Sequence, residues 1–240
     1  GVDMKRVETL KRLIILQLSF IGLLVHTAIY GYIWFTEYYP FLRYHRNFKY
    51  FFRGHVLIIA IYFVLLLFFA STYGALKIGY LKAVDVFISE FFSLLFVNVI
   101  SYFQISLMAN WLVRPLPFVE VMILQTIFSG VWVAICNACY YKVFPPREIL
   151  IIHGERPIND IVAKFESRKD KYKIKKTMNI KEGIPAAREE ILKQYGAVVL
   201  WDIPVQDRND LMKYCYSRSI RVYMMPKITD VLVRGADQLH

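Results

Sequence analysis

Four stretches in the first part of the chain, near residues 13–35, 51–73, 86–109 and 118–141, are apolar almost without a break. Each holds around twenty residues, the length an α-helix needs to cross roughly 30 Å of hydrocarbon. Beyond residue 141 the pattern changes to short apolar runs alternating with amphipathic segments. EILIIHG (148–154) predicts a strand. In PINDIVAKFESRKD (157–170), Ile158, Ile161, Val162 and Phe165 recur at helical spacing behind a proline suited to a first turn. YKIKKTMNI (172–180) predicts a second strand, IPAAREEILKQYG (184–196) a helix closed by Gly196, and AVVLWDI (197–203) a buried strand. PVQDRNDLMKYCYSRS (204–219) and RVYMM (221–225) complete a β-α-β-α-β-α-β order, and residues 228–240 read as a further helix or an extended tail. That order predicts a parallel, Rossmann-like sheet. The expected architecture is an all-α transmembrane four-helix bundle over residues 1–141, followed by a cytoplasmic α/β domain over residues 142–240.

Composition sharpens this division. The 240 residues are 57% hydrophobic, and the mean hydropathy of +0.39 is high for a soluble domain. Only 11 of the 30 Lys/Arg and 6 of the 19 Asp/Glu precede residue 142, so dense charge begins near Pro145-Pro146. With no RNA- or DNA-binding motif present, the net charge of +11 points to lipid headgroups and phosphates rather than nucleic acid.

The first apolar stretch is too long for a secretory leader, lacks a small-residue cleavage site, and is expected to be retained as a helix. Cationic flanks set orientation. With the N-terminus inside, Lys5, Arg6, Lys11, Arg12, Lys77 and Lys82 oppose Arg43, Arg46, Lys49, Arg53 and Arg114; Lys142 and Arg147 tip the balance inward. Four spans then place both termini in the cytoplasm. The basic first loop opposes this assignment, and its side chains are expected to reach the headgroups. Trp34, Phe35, Tyr38, Tyr39, Trp111, Tyr140 and Tyr141 lie at span ends, as interfacial anchors do.

Glu90, Ser93, Asn98, Ser101 and Gln104 fall within about 140° of one another on the third helix. Such a face points inward, either to line a path or, the reading preferred here, to hydrogen-bond other helices; Glu90 is expected to reach the headgroups. Gly130, Ala134 and Ala138 form a small-residue row for close helix packing, within the bundle or between subunits of a homodimer. Cys136 and Cys139 have C-x-x-C spacing but sit in an apolar helix without a second pair, and are expected to be small packing residues rather than a zinc or redox site.

In the second half, a strand, a glycine and a helix around Gly154 have the order of a nucleotide-binding turn. The G-x-G-x-x-G and G-x-x-x-x-G-K-[ST] fingerprints are absent. Gly154, Arg156 and Asp202 remain the candidate ligand residues: Arg156 to attract phosphate, Asp202 to meet a ribose hydroxyl or, more simply, to cap the next helix. The run RKDKYKIKK contributes Arg168, Lys169, Lys171, Lys173, Lys175 and Lys176. Lys171, Lys173 and Lys175 are expected to share one strand face, as a solvated edge or as a patch for anionic lipid. No catalytic constellation or metal-ligand cluster is visible. His26, His45, His55, His153 and His240 are scattered, and no Asp-Glu dipeptide occurs.

Four stretches carry a resemblance: TYGALKIGYLKAVD (72–85), SYFQISLM (101–108), PPREILIIHG (145–154) and MPKITDVLVRGA (225–236). They resemble the N-terminal region of the large monotopic phosphoglycosyl transferases, the polyprenyl glycosylphosphotransferases that initiate exopolysaccharide or capsule assembly. The resemblance covers nearly the whole chain. It implies a bacterial inner-membrane protein whose second domain is a degenerate Rossmann-like (CoA-binding-like) module, open to a nucleotide or nucleotide-sugar ligand. The family moves a sugar-1-phosphate from a UDP-sugar to undecaprenyl phosphate, using an Asp-Glu dyad and Mg2+. Neither the dyad nor the re-entrant segment that carries it is found here. The chain is therefore expected to be the non-catalytic, membrane-anchoring and regulatory front part of such an enzyme, holding no cofactor itself. The front region of a membrane-bound nucleotide-sugar dehydratase, a channel or transporter with a ligand-sensing domain, and a membrane scaffold are the alternatives.

Overall fold

The computed structural model describes residues 2–47, 49 and 51–225, and the side chains within them apart from residues 2–5 and 225. The chain divides into two compact units between Val143 and Phe144.

The first unit is helical. α1 (Val2–Ile33) runs through a π-helical turn (Trp34–Tyr38) into α2 (Tyr39–His45), followed by α3 (Phe52–Tyr73), α4 (Ala83–Ala109) and α5 (Leu116–Val143). Four helices, Arg6–His45, Phe52–Tyr73, Ala83–Ala109 and Leu116–Val143, are long and apolar enough to cross a membrane. α3 closes on Gly74 and α4 on Asn110, both in the left-handed conformation that ends a helix at low cost.

The first helix runs ten residues past the expected end near residue 35. Trp34, Tyr38 and Leu42 are all buried, at a spacing of four that drifts off one face of a helix with 3.6 residues per turn. The wider π turn, in which the Tyr39 amide donates to the Trp34 carbonyl, absorbs that drift and keeps all three on the core side. Pro40 is the second residue after the π turn, and inside a continuous helix it removes one backbone hydrogen bond.

The second unit is a four-stranded parallel sheet. Its order is β2 (Tyr172–Asn179), β1 (Arg147–His153), β3 (Ala197–Trp201), β4 (Val222–Met225). The connections carry α6 (Asn159–Glu166), α7 (Ile184–Ile191) and α8 (Val205–Ser217). Both faces of β1 are buried, which is why its sequence is continuously apolar rather than alternating. Ile149 and Ile151 pack with Ile161 and Phe165 of α6. Leu150 and Ile152 pack with Ala187 and Ile191 of α7 and with Leu211 and Cys215 of α8. Helices therefore cover both faces of the sheet. The stretch 226–240, which includes most of MPKITDVLVRGA, lies outside the described residues.

Candidate functional sites

The polar face of α4 is the centre of a buried network that reaches all four long helices. Glu90 is 6% exposed and His26, on α1, is fully buried. Glu90 Oε1 lies 2.6 Å from His26 Nε2, and Ser129 Oγ of α5 lies 3.3 Å from the same nitrogen. Glu90 is therefore enclosed and paired, not extended to the headgroups. If His26 carries its proton on Nε2 and donates to Glu90, its partnerless Nδ1 is left as a bare acceptor.

Gln125 of α5 is the second node. Its Oε1 accepts from Asn98 Nδ2 of α4 (2.7 Å), and its Nε2 donates to Tyr62 Oη of α3 (2.8 Å) and to the His26 carbonyl of α1 (3.1 Å). Tyr62 Oη in turn donates to Asn98 Oδ1 (2.8 Å). Of the α4 face, Glu90 and Asn98 make the interhelical hydrogen bonds expected of it, whereas Ser93 Oγ donates to the Ser89 carbonyl of its own helix and the buried Ser101 hydroxyl has no partner among the described residues. Of the small-residue row, Gly130 meets α4, where an added Cβ would lie 3.6 Å from Phe87 Cε2. Gly130 is half-buried and Ala134 and Ala138 are exposed, while Gln125, Ser129, Val133, Cys136 and Tyr140 form the inward face of α5. Cys136 is buried and Cys139 exposed, so the two thiols face different surroundings.

At the carboxyl end of the sheet the structure brings Gly154, Arg156 and Asp202 together. The strand order reverses between β1 and β3, the position where open parallel sheets offer a crevice. Here the chain after β1 and the chain after β3 touch. The Gly154 amide donates to the Trp201 carbonyl at 2.9 Å. A Cβ on Gly154 would lie 1.9 Å from the Asp202 carbonyl oxygen. The glycine is needed because β3 passes against it, a requirement independent of any phosphate. Asp202 has a left-handed backbone (φ 54°) and accepts from the Arg156 amide at 3.1 Å, with its other oxygen 3.7 Å from Arg156 Nε. The N-cap position of α8 is taken by Pro204, which makes no side-chain cap.

The basic run lies at an edge of the sheet. Its expected alternation fails at a bulge: Ile149 pairs with Ile174 but Leu150 with Lys176, so Lys175 is an extra residue in the ladder. Lys175 and Lys176 then both project outward, as does Lys173, whereas Lys171 precedes the strand. Carboxylates meet at least three of the six cations: Asp170 binds Arg168 (2.6 Å), Glu148 binds Lys175 (2.6 Å) and Glu190 binds Lys176 (2.9 Å). Lysines on an edge strand also guard against pairing with a second sheet. The hydrogen bond from Lys175 holds the Glu148 carboxyl below its ordinary range.

Glu190 of α7 was not singled out by the sequence. It accepts from Lys193 Nζ (2.8 Å), Tyr195 Oη (2.6 Å) and Lys176 Nζ (2.9 Å). These donors, Lys193 foremost, bring its carboxyl down to about 2. Its three donors span residues 176–195, so no local motif announces it.

Among the described residues no group of three or more His, Cys, Asp or Glu side chains is placed to hold a metal ion. No protein-family model matches the chain, no curated protein matches it, and no solved structure matches it.

Proposed function

We propose that the chain is the membrane-anchoring, non-catalytic region of a polyprenyl-phosphate sugar-1-phosphate transferase of the bacterial inner membrane, with both termini cytoplasmic. The observation that carries this reading is the pairing of four helices long and apolar enough to cross a membrane with a small parallel α/β unit. At the carboxyl ends of β1 and β3 in that unit, Gly154 and Arg156 contact Asp202. Of the sequence stretches that resemble the transferases, PPREILIIHG forms β1 and its approach, SYFQISLM lies on α4, and TYGALKIGYLKAVD spans the turn from α3 to α4.

On this reading the helical unit fixes the enzyme in the bilayer and the α/β unit is an organising module, its crevice serving chain packing rather than a nucleotide. The sugar-phosphate chemistry, with its Mg2+, belongs to residues other than those described. The test is UMP release from UDP-sugars by membranes containing the natural gene product, with undecaprenyl phosphate and Mg2+ supplied. UMP release that disappears on deletion of the gene supports the reading. Formation of a keto-sugar nucleotide without UMP supports the dehydratase alternative. An antibody raised to residues 142–225 reports in parallel whether the natural protein is larger than 28.3 kDa; a band at that mass favours a scaffold.

A further inference from the structure

The end of the helical unit where α2 meets α3 carries an unusual combination of exposed cations and fully presented aromatic rings. Arg43, Arg46, Lys49 and Arg53 are all exposed. No Asp or Glu occurs in the sequence between Glu37 and Asp85, so no local carboxylate neutralises them. The edge of the sheet differs, since at least three of its six cations meet carboxylates. Among these cations Tyr44, Phe51 and Phe52 are 82, 85 and 80% exposed. Helix length fixes their depth. α3 has 22 residues, about 33 Å at 1.5 Å per residue, close to the roughly 30 Å hydrocarbon core. Its first residue, Phe52, therefore lies at one boundary of that core, with Arg53 beside it. The α4–α5 connection is held at the same end, since Tyr38 Oη donates to the Arg114 carbonyl at 2.9 Å. Glu37 and Asp85 are the acidic residues that flank residues 43–53 along the chain.

From this juxtaposition we infer that the α2–α3 end is a binding surface for anionic phospholipid headgroups, with Arg43, Arg46, Lys49 and Arg53 contacting phosphate and Tyr44, Phe51 and Phe52 seated in the interfacial layer. The inference rests on the membrane-crossing part of the proposed function and is independent of the sugar chemistry. Arginine suits this role because its planar fork takes two phosphate oxygens at once, and the rings suit the half-polar layer between headgroup and chain. With the N-terminus cytoplasmic, this surface belongs to the outer leaflet. It also accounts for the basic first loop that opposes the inward charge bias: those cations serve the headgroups on their own side.

The experiment reconstitutes the full chain into nanodiscs from mixed phosphatidylcholine and phosphatidylglycerol, then counts the lipid retained on detergent extraction by mass spectrometry. Phosphatidylglycerol is expected to be enriched over the starting mixture. Each Arg→Gln change at 43, 46 or 53 is expected to lower the enrichment about fivefold. R43Q/R46Q/K49Q/R53Q is expected to abolish it, while R43K/R46K/R53K keeps most of it. Raising salt with the unmodified chain is expected to weaken retention, which tests the inference even if the quadruple variant does not fold. Undiminished enrichment in a folded quadruple variant overturns the inference, as does loss of enrichment in K169Q/K171Q/K173Q instead. Competition by millimolar inorganic phosphate would identify a free-phosphate site and also overturn it. Failure of the chain to enter nanodiscs at all would count against the membrane reading itself.

Discussion

Replacing Gln125 by leucine isolates the bundle's polar node with little change in volume. The side chain is fully buried and makes three hydrogen bonds to three other helices: Asn98 on α4, Tyr62 on α3 and the His26 carbonyl on α1. Interhelical side-chain hydrogen bonds in bilayers are worth about 0.6 kcal/mol on average and up to about 1.7 kcal/mol. Three of them give roughly 2 kcal/mol, with an upper bound near 5 kcal/mol. The lower figure is favoured, because the donors left behind keep other partners. Tyr62 Oη still donates to Asn98 Oδ1, and Asn98 Nδ2 still has Met122 Sδ at 3.3 Å. The assay is reversible unfolding in mixed micelles, followed by helical circular dichroism. Q125L is expected to lose about 2 kcal/mol, and the N98L/Q125L pair less than the sum of its single changes, since the two residues share a bond. Q125L within about 0.5 kcal/mol of the parent, together with additive behaviour of the pair, would refute the claim that this network holds the helices together.

Gly154→Ala is expected to destabilise the α/β unit by at least 1–3 kcal/mol, the usual range for overpacking, because the new Cβ would meet backbone rather than a side chain that can swing away. Cys215, buried on α8 with its thiol pushed up to about 11 by burial, is the reporter: alkylation slow in the parent should be fast in G154A. The Glu190 carboxyl titrates at about 2 instead of its ordinary 4.5. Its folded value is depressed, so its contribution is complete above pH 4.5 and is lost as pH falls from 4.5 towards 2; E190Q should flatten that part of an acid-unfolding curve. Glu90→Gln keeps the short partner of His26 and is expected to cost less stability than Glu90→Leu, which leaves the imidazole only the longer contact to Ser129, by thermal melting in detergent.

The long helices were legible because twenty apolar residues leave few other structures open to a chain in lipid. The extension of the first helix was not, because Pro40 and the basic residues after it have the composition of a loop, and only the π turn shows how the core face continues through them. The strands and helices of the second unit were visible as alternating patterns, and their buried faces follow from β1 being apolar at every inner position. Contacts between distant residues were not legible. Glu90 stood out on α4, but its partner His26 is 64 residues away. Gly154 stood out as a lone glycine, yet the Asp202 backbone that requires it lies 48 residues on, in the bend that follows β3. The bulge at Lys175 leaves no trace in composition, so the alternation assumed for the basic edge failed where the ladder gains a residue.

The central claim, that this chain anchors a sugar-1-phosphate transferase, is tested most directly by purifying the natural gene product through an antibody to residues 142–225. It is then assayed for UMP release from UDP-sugars with undecaprenyl phosphate and Mg2+. The account predicts UMP and a polyprenyl-diphosphate sugar in equal amounts. Purified, membrane-inserted protein that releases no UMP from any UDP-sugar offered would contradict it.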